Sequence, residues 1–236
     1  MSGYQTKQEQ IAISGVEALT IRSLLDRQQF DDPHGAADQL GISSAAWPLF
    51  GLLWPSGAQL AARLALRPVS AGERILEIGC GLGLASLVAH RRGADVTASD
   101  CHPLAGAFMS ENLRLNALTP IKYRHGHWNA TLVQQQHALD GGLRALHGCF
   151  DLIVGSDLLY ERDEAGTLAG FIAEHAAPGA EVWIVDPDRG NRAAFNRCMA
   201  AEGFSMKEER LDRDATLRSE AYKGRLLTYT RPPIDA

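Results

Sequence analysis

The chain lacks any paired-cysteine motif. Its four cysteines, Cys80, Cys101, Cys149 and Cys198, stand far apart with no C-x-x-C among them. This speaks against a disulfide frame or a cysteine-ligated zinc site and for reduced cytosolic thiols. No apolar run reaches the ~18 residues that a membrane span needs. The opening MSGYQTKQEQ has no apolar stretch behind a basic end, so no secretory signal is expected. Positive charge is not in excess: 23 Lys and Arg face 28 Asp and Glu, for a net charge of −5. A global pull toward nucleic acid or an anionic membrane is thereby excluded. A metal centre is also not expected. His125 and His127 are two residues apart and point oppositely on a strand, with no ligand cluster beside them. Internal repeats, heptads and low-complexity tracts are absent. The expected setting is the cytoplasm, and no sequence signal bears on oligomeric state.

What is present suits one globular domain with an added arm. The 236 residues are 45% hydrophobic and 22% charged, enough for a sizeable core. Residues 1–45 read as an arm packing on a main domain that spans 46–236. The arm holds a short apolar patch, Leu19, Ile21, Leu24 and Leu25, of uncertain period. The loop-like FDDPHGAADQLGIS follows it. Beyond Pro55, SGAQLAARLAL reads as a helix capped by Ser56, with Leu60, Leu64 and Leu66 near one face.

From residue 73 strands and helices alternate. ERILEIG, ADVTASD, IKYRHGHW, CFDLIVGSD and EVWIVD read as strands. LASLVAHRRG, HPLAGAFMSENLRLN, AGTLAGFIAEHAA and NRAAFNRCMAAEG read as helices, the third ended by Pro178 and Gly179. SMKEERLD and GRLLTYT have no helix between them and are expected to pair antiparallel. The charged run DRDATLRSE between them reads as a solvated loop. This is an α/β pattern: a doubly wound, Rossmann-like, mostly parallel seven-stranded sheet.

Ligands of such sheets sit at the carboxyl ends of the strands. ILEIGCGLGLAS, residues 75–86, places a glycine turn at one such end. The dinucleotide fingerprint G-x-G-x-x-G/A fails at its third place, which falls on Leu84. The spacing present is Gly79, Gly81 and Gly83, with Glu77 two residues ahead. The second strand ends at Asp100, where a carboxylate can accept hydrogen bonds from both hydroxyls of a ribose. The turn, the preceding acid and the ribose acid together point to an adenosine-type ligand.

The E-x-G-x-G-x-G arrangement resembles motif I of the class I methyltransferases. WPSGAQLA (54–61), FDLIVGSDLLY (150–160) and VWIVDPDR (182–189) extend the likeness to the seven-β-strand protein lysine methyltransferases, methyltransferase family 16. The resemblance covers roughly residues 19–230. It implies S-adenosylmethionine as methyl donor, with S-adenosylhomocysteine as product, and a protein substrate methylated on a lysine amine. It also implies that Trp54 lies beside the methionine part of the donor. Gly79, Gly81 and Gly83 would line the turn, with Glu77 ahead of it, and Asp100 would hold the ribose. Trp128 would contact the adenine, and Ser156 would sit near the sulfonium. Asp157 and Tyr160, the ends of D-x-x-Y, would face the substrate. One departure is Asn129, which stands where glycine commonly follows Trp128.

Plainer readings stand beside these. Asp157 would serve as a helix N-cap, Tyr160 and Trp128 as core, and Trp54 as a staple between arm and sheet. Asp186, Asp188 and Arg189 form either a turn with an internal ion pair or part of the substrate mouth. Three other functions remain open at this level. They are an N-methyltransferase acting on a small-molecule amine, a nicotinamide-dependent oxidoreductase, and a binding module that kept the fold.

Overall fold

A computed structural model describes residues 3–163, 165–213 and 221–232. Most of the DRDATLRSE run, residues 214–220, lies outside the described residues. The chain begins with a hairpin of β1 (Thr6–Ile11) and β2 (Leu19–Leu24), followed by α1 (Ala36–Gln39) and a 3-10 turn at Trp47–Gly51. Leu19, Ile21 and Leu24 of β2 are fully buried. Burial of this kind contributes about 2 kcal/mol per side chain, and it seats the hairpin on the main body. β1 is exposed along nearly its whole length, so it has no apolar alternation to announce it.

The other open edge of β2 is closed by side chains of α4 (Ala105–Leu115) and the residue just past its end. Asn112 accepts from the Arg22 amide at 2.8 Å. Asn116 accepts from the Thr20 amide at 2.9 Å and donates to the Thr20 carbonyl at 2.8 Å. Residues four apart share one helix face, so the two carboxamides substitute for a neighbouring strand. Asn112 also donates to the Leu82 carbonyl at 3.3 Å, which joins the hairpin to the glycine turn.

The main sheet has seven strands. They are β3 (Arg74–Ile78), β4 (Asp95–Asp100), β5 (Lys122–His125), β6 (Phe150–Ser156), β7 (Ala176–Asp186), β8 (Ser205–Arg210) and β9 (Arg225–Thr230). Their order is β5-β4-β3-β6-β7-β9-β8. β3 to β7 pair in parallel, and β9 runs antiparallel to both β7 and β8. The expected doubly wound architecture is borne out, with the direction of winding reversing between β3 and β6. Alternate residues feed opposite cores, as a strand's period of two requires. Ile75 joins a cluster with Leu60, Leu87 and Phe108, whereas Leu76 joins one with Ile172, Phe195 and Met199. The first cluster is built by α2 (Pro55–Leu66), α3 (Leu84–Arg91) and α4. The second is built by α6 (Thr167–His175) and α7 (Arg192–Ala201). No helix of the described residues is long and apolar enough to cross a membrane.

Several local expectations are corrected. Ser56 is not the cap of α2. Pro55 takes the first helical position, where its missing N–H costs nothing, and Trp54 is the extended residue before it. Ser56 is buried, its hydroxyl 2.9 Å from that of Tyr222. Leu66 is exposed, unlike Leu60 and Leu64. β5 stops at His125, leaving Trp128 in the following turn. An unexpected helix, α5 (Leu132–Asp140), starts with a capping box between Thr131 and Gln134. α6 ends at His175, and Pro178 and Gly179 belong to β7, whose pairing with β6 shifts register there. No helix follows Asp157 directly, since α6 begins only at Thr167. Asp157 is therefore not an N-cap, and Tyr160 stands in a turn.

Candidate active site

β3 delivers the chain into a turn where Gly79, Gly81 and Gly83 all have positive φ, at 56°, 49° and 73°. Gly81 is the most constrained. A Cβ there would lie 2.7 Å from the Phe50 carbonyl oxygen, a backbone atom that cannot swing aside. The turn is held from beneath by two acids. Glu77 is buried near the end of β3 and accepts from the Ser86 amide at 2.8 Å and from the Ser86 hydroxyl. Burial pushes its carboxyl up to about 7, against the pull of those bonds, and Asp100 pushes the same way. Asp100 ends β4 and accepts from the Gly81 amide through Oδ2 and from the His102 amide through Oδ1, both at 2.8 Å. Burial raises its carboxyl also. An ionised carboxylate offers about four acceptor sites; the Gly81 and His102 amides take two of them, and the Cys101 amide and thiol also lie against this carboxyl.

On the other side of β3, β6 ends at Ser156 and the chain turns sharply at Asp157, with φ 58°. Aspartate tolerates this left-handed conformation better than most residues. The Asp157 amide donates to the Val185 carbonyl at 3.0 Å, fixing the turn on β7. Its Oδ1 accepts from the Arg189 guanidinium at 3.0 Å. Its Oδ2 is buried and makes no hydrogen bond of good geometry among the described residues, although the Ser56 amide and hydroxyl lie close to the carboxyl. Burial raises this carboxyl, opposed by Ser56 and Arg189.

All ten residues singled out from the sequence line one cavity of about 490 Å³: Trp54, Glu77, Gly79, Gly81, Gly83, Asp100, Trp128, Ser156, Asp157 and Tyr160. The indole of Trp54 donates to the Leu49 carbonyl at 2.9 Å, and the Arg27 and Arg189 guanidinium groups lie 4.9 and 5.9 Å from its ring centre. Trp54 thus both lines the cavity and touches the arm. Trp128 packs edge-on against Phe171, and a Cβ on Gly79 would lie 3.6 Å from its ring. Tyr160 keeps 44% of its surface exposed, which rules out the core reading for it.

Among the further residues lining the same cavity are Arg27, Phe50 and His102, none of them singled out, and His127, weighed only as a metal ligand. Phe50 and His102 stack with centroids 3.7 Å apart. The His102 Nδ1 accepts from the Leu104 amide at 3.2 Å, so Nε2 carries the ring hydrogen and has no partner among the described residues. Burial drops this imidazole to about 3, which keeps it neutral. The place of His102, two residues past Asp100 at a strand end, was the available signal. Arg27 had none, because its approach depends on the hairpin. Arg189, weighed before as part of a turn, points its guanidinium at Asp157 and lines the cavity too.

Comparison with known proteins bears on the family and the fold. A family profile described as a methyltransferase domain matches residues 57–223, well over half of the chain. An electron transfer flavoprotein beta subunit lysine methyltransferase of Rattus norvegicus is 31% identical over 145 residues, covering 60% of this chain and 51% of that protein. A calmodulin-lysine N-methyltransferase of Arabidopsis thaliana is 31% identical over 147 residues, covering 58% and 45%. The chain thus spans about half the length of the curated relatives it matches. Among solved structures, a magnesium protoporphyrin IX methyltransferase from Synechocystis PCC 6803 with bound SAM superposes with a TM-score of 0.55 at 18% identity. That match covers 75% of this chain and 78% of the other. A [4+2]-cyclase superposes with a TM-score of 0.56 at 15% identity, covering 78% and 84%. These two likenesses speak for the fold alone, since one fold hosts unrelated reactions. The profile match decides the matter: this chain belongs to the methyltransferase-domain family.

Proposed function

We propose that the protein transfers a methyl group from S-adenosylmethionine to the side-chain amine of a lysine in a protein substrate. One observation carries this reading. Asp100 ends β4, Asp157 follows the end of β6, and the glycine turn follows β3, which lies between those two strands in the sheet. A nucleoside held by Asp100 therefore extends across Gly81 toward Asp157. The residues present fit the donor: a roomy cavity, a turn with glycine at every second place, a carboxylate at the end of β4, and a His102 N–H without a partner among the described residues. The same placement supports treating residues 1–45 as an arm, because Arg27 and Ile42 contribute to the cavity wall.

Bound S-adenosylmethionine supplies an electrophilic methyl on a cationic sulfur, a leaving group that needs no acid. The protein's work is then placement, and proximity of aligned reactants can supply about 7 kcal/mol or more of the barrier. A lysine amine, with an ordinary pKa of ~10.4, must lose its proton before it attacks. Asp157 Oδ2 is the free acceptor for the arriving ammonium. Its burial makes it a stronger base than an exposed carboxylate, which narrows the gap across which the proton moves. Tyr160 can present its ring face to the cation or its hydroxyl to the amine.

The test combines titration with S-adenosylhomocysteine and tritiated-methyl transfer to a cell lysate resolved on a gel. Binding together with label in a protein band, lost when that band's lysines are acetylated, is the expected result. Label confined to small molecules would move the acceptor to a free amine. No binding of the product would overturn the reading.

A further inference from the structure

A second concavity of about 540 Å³ lies outside the first and is lined by Lys7, Asp26, Arg27, Trp54, Asp157 and Arg189, among others. Arg27, Trp54, Asp157 and Arg189 line both spaces. They form a shared wall, and the Asp157–Arg189 pair lies within it. Resting on the methyltransferase reading, we propose that Arg189 holds Asp157 as an internal stand-in for the acceptor ammonium, and that the outer groove takes a lysine embedded in an acidic segment.

The chemistry of the wall supports this. Arg189 presents a cation to a buried carboxylate and approaches the face of Trp54. Those are the two contacts that an arriving lysine ammonium would seek there. Asp157 has a second oxygen that makes no hydrogen bond of good geometry among the described residues, so a new cation can bind before the old one leaves. The arginine is held in place by its own turn. The Arg189 amide donates to Asp186 Oδ2 at 2.9 Å. Asp188, at φ 63°, accepts from Arg225 at 3.1 Å and also pairs with Arg192. Of the two left-handed aspartates, Asp157 is a member of the pair and Asp188 immediately precedes Arg189, and strain of this kind gathers at functional sites.

Displacement leaves Arg189 without a carboxylate at the mouth of the groove. Arg27 also approaches the Trp54 ring, 4.9 Å from its centre, and has no carboxylate partner among the described residues. Lys7 is paired with Glu9, and Asp26 is occupied by Gln28 and Gln29. The mouth therefore offers two guanidinium groups, both beside the Trp54 indole, to carboxylates flanking the target lysine. Arginine's planar fork suits that task better than a point charge.

The probes are n-butylamine, which is the lysine stem alone, and the tripeptides acetyl-Glu-Lys-Glu-amide and acetyl-Gln-Lys-Gln-amide. Each is titrated into the full chain saturated with S-adenosylhomocysteine. Arg189→Gln should bind butylamine about tenfold more tightly than the wild type, because the internal competitor is gone. That gain should vanish when Asp157→Asn is added. The wild type should prefer the glutamate peptide by about tenfold, and the preference should shrink with added salt. Arg27→Gln, which leaves the Asp157 pair intact, should lower that preference while shifting butylamine affinity far less than Arg189→Gln does. It keeps the acidic-segment claim testable if Arg189→Gln does not fold. Equal amine affinity with and without the Arg189 guanidinium, or no discrimination between the peptides, overturns the proposal. Failure of S-adenosylhomocysteine to bind overturns the methyltransferase reading instead, and this proposal with it.

Discussion

At the scale of single residues, the positions that follow β3 and β6 do different things, and substitution separates them. Asp157→Ala removes the free acceptor near the reaction centre and leaves the glycine turn untouched. Methyl transfer should fall by about a hundredfold or more, with S-adenosylhomocysteine affinity nearly unchanged. Equal loss of both in paired activity and titration measurements would put Asp157 in the donor site. Gly81→Ala acts at the other end. Its Cβ would meet the Phe50 carbonyl at 2.7 Å, with φ at 49°. A strain of about 1–3 kcal/mol must be relieved by moving the turn. Product affinity measured by calorimetry should drop at least about tenfold, and an unaltered affinity would show that the turn does not approach the ligand. The donor-side residues were legible because a strand followed by spaced glycines and an acid is a local pattern. Arg27 and His127 were not, since each reaches the cavity only through the folding of a separate segment.

At the scale of elements, the hairpin shows how a strand edge can be closed without a strand. Asn112 and Asn116 occupy the polar groups on the free edge of β2. Asn116→Ala would strand the Thr20 amide and carbonyl in a part-buried place. A loss of about 1–3 kcal/mol in urea unfolding is expected, whereas Asn116→Asp, which keeps only the acceptor, should lose less. A null result would mean that water replaces the carboxamide. The hairpin was only half visible in the sequence. β2 has a buried alternation in Leu19 and Ile21, but β1, from Thr6 to Ile11, is exposed on both faces and carries no periodic signal. α5 was missed for a similar reason. Leu132 and Val133 are exposed, so its apolar residues mark no buried stripe, and the Thr131–Gln134 capping box was the clue at hand. The start of β7 hid behind Pro178 and Gly179, which usually end elements and here sit in an irregular strand margin.

At the scale of the whole molecule, the number of strands and their mostly parallel direction followed from the alternation of apolar runs with helices, because buried parallel strands are nearly continuous in hydrophobicity; their order did not. What the pattern left out was the cost of the buried acids beneath the glycine turn. Glu77 is raised from its ordinary 4.5 to about 7 by burial, so the folded state binds that proton more tightly than the unfolded chain. The stability tied to it is complete below about pH 4.5 and is lost as pH rises through about 7. Asp100 and Asp157, also raised, act in the same direction. Melting curves of the wild type should fall by a few degrees more between pH 5 and pH 8 than those of Glu77→Gln, which keeps an acceptor for Ser86. Parallel curves would show that Glu77 titrates as an exposed acid.

One carboxamide, that of Asn112, grips the amino-terminal ribbon through Arg22 and the nucleotide-facing bend through Leu82. Ordering either end of such a bridge favours order at the other, and equilibrium coupling works equally in both directions. A protease presented with the free protein should therefore clip the ribbon faster than in the presence of S-adenosylhomocysteine, although the compound need never touch the cleavage point.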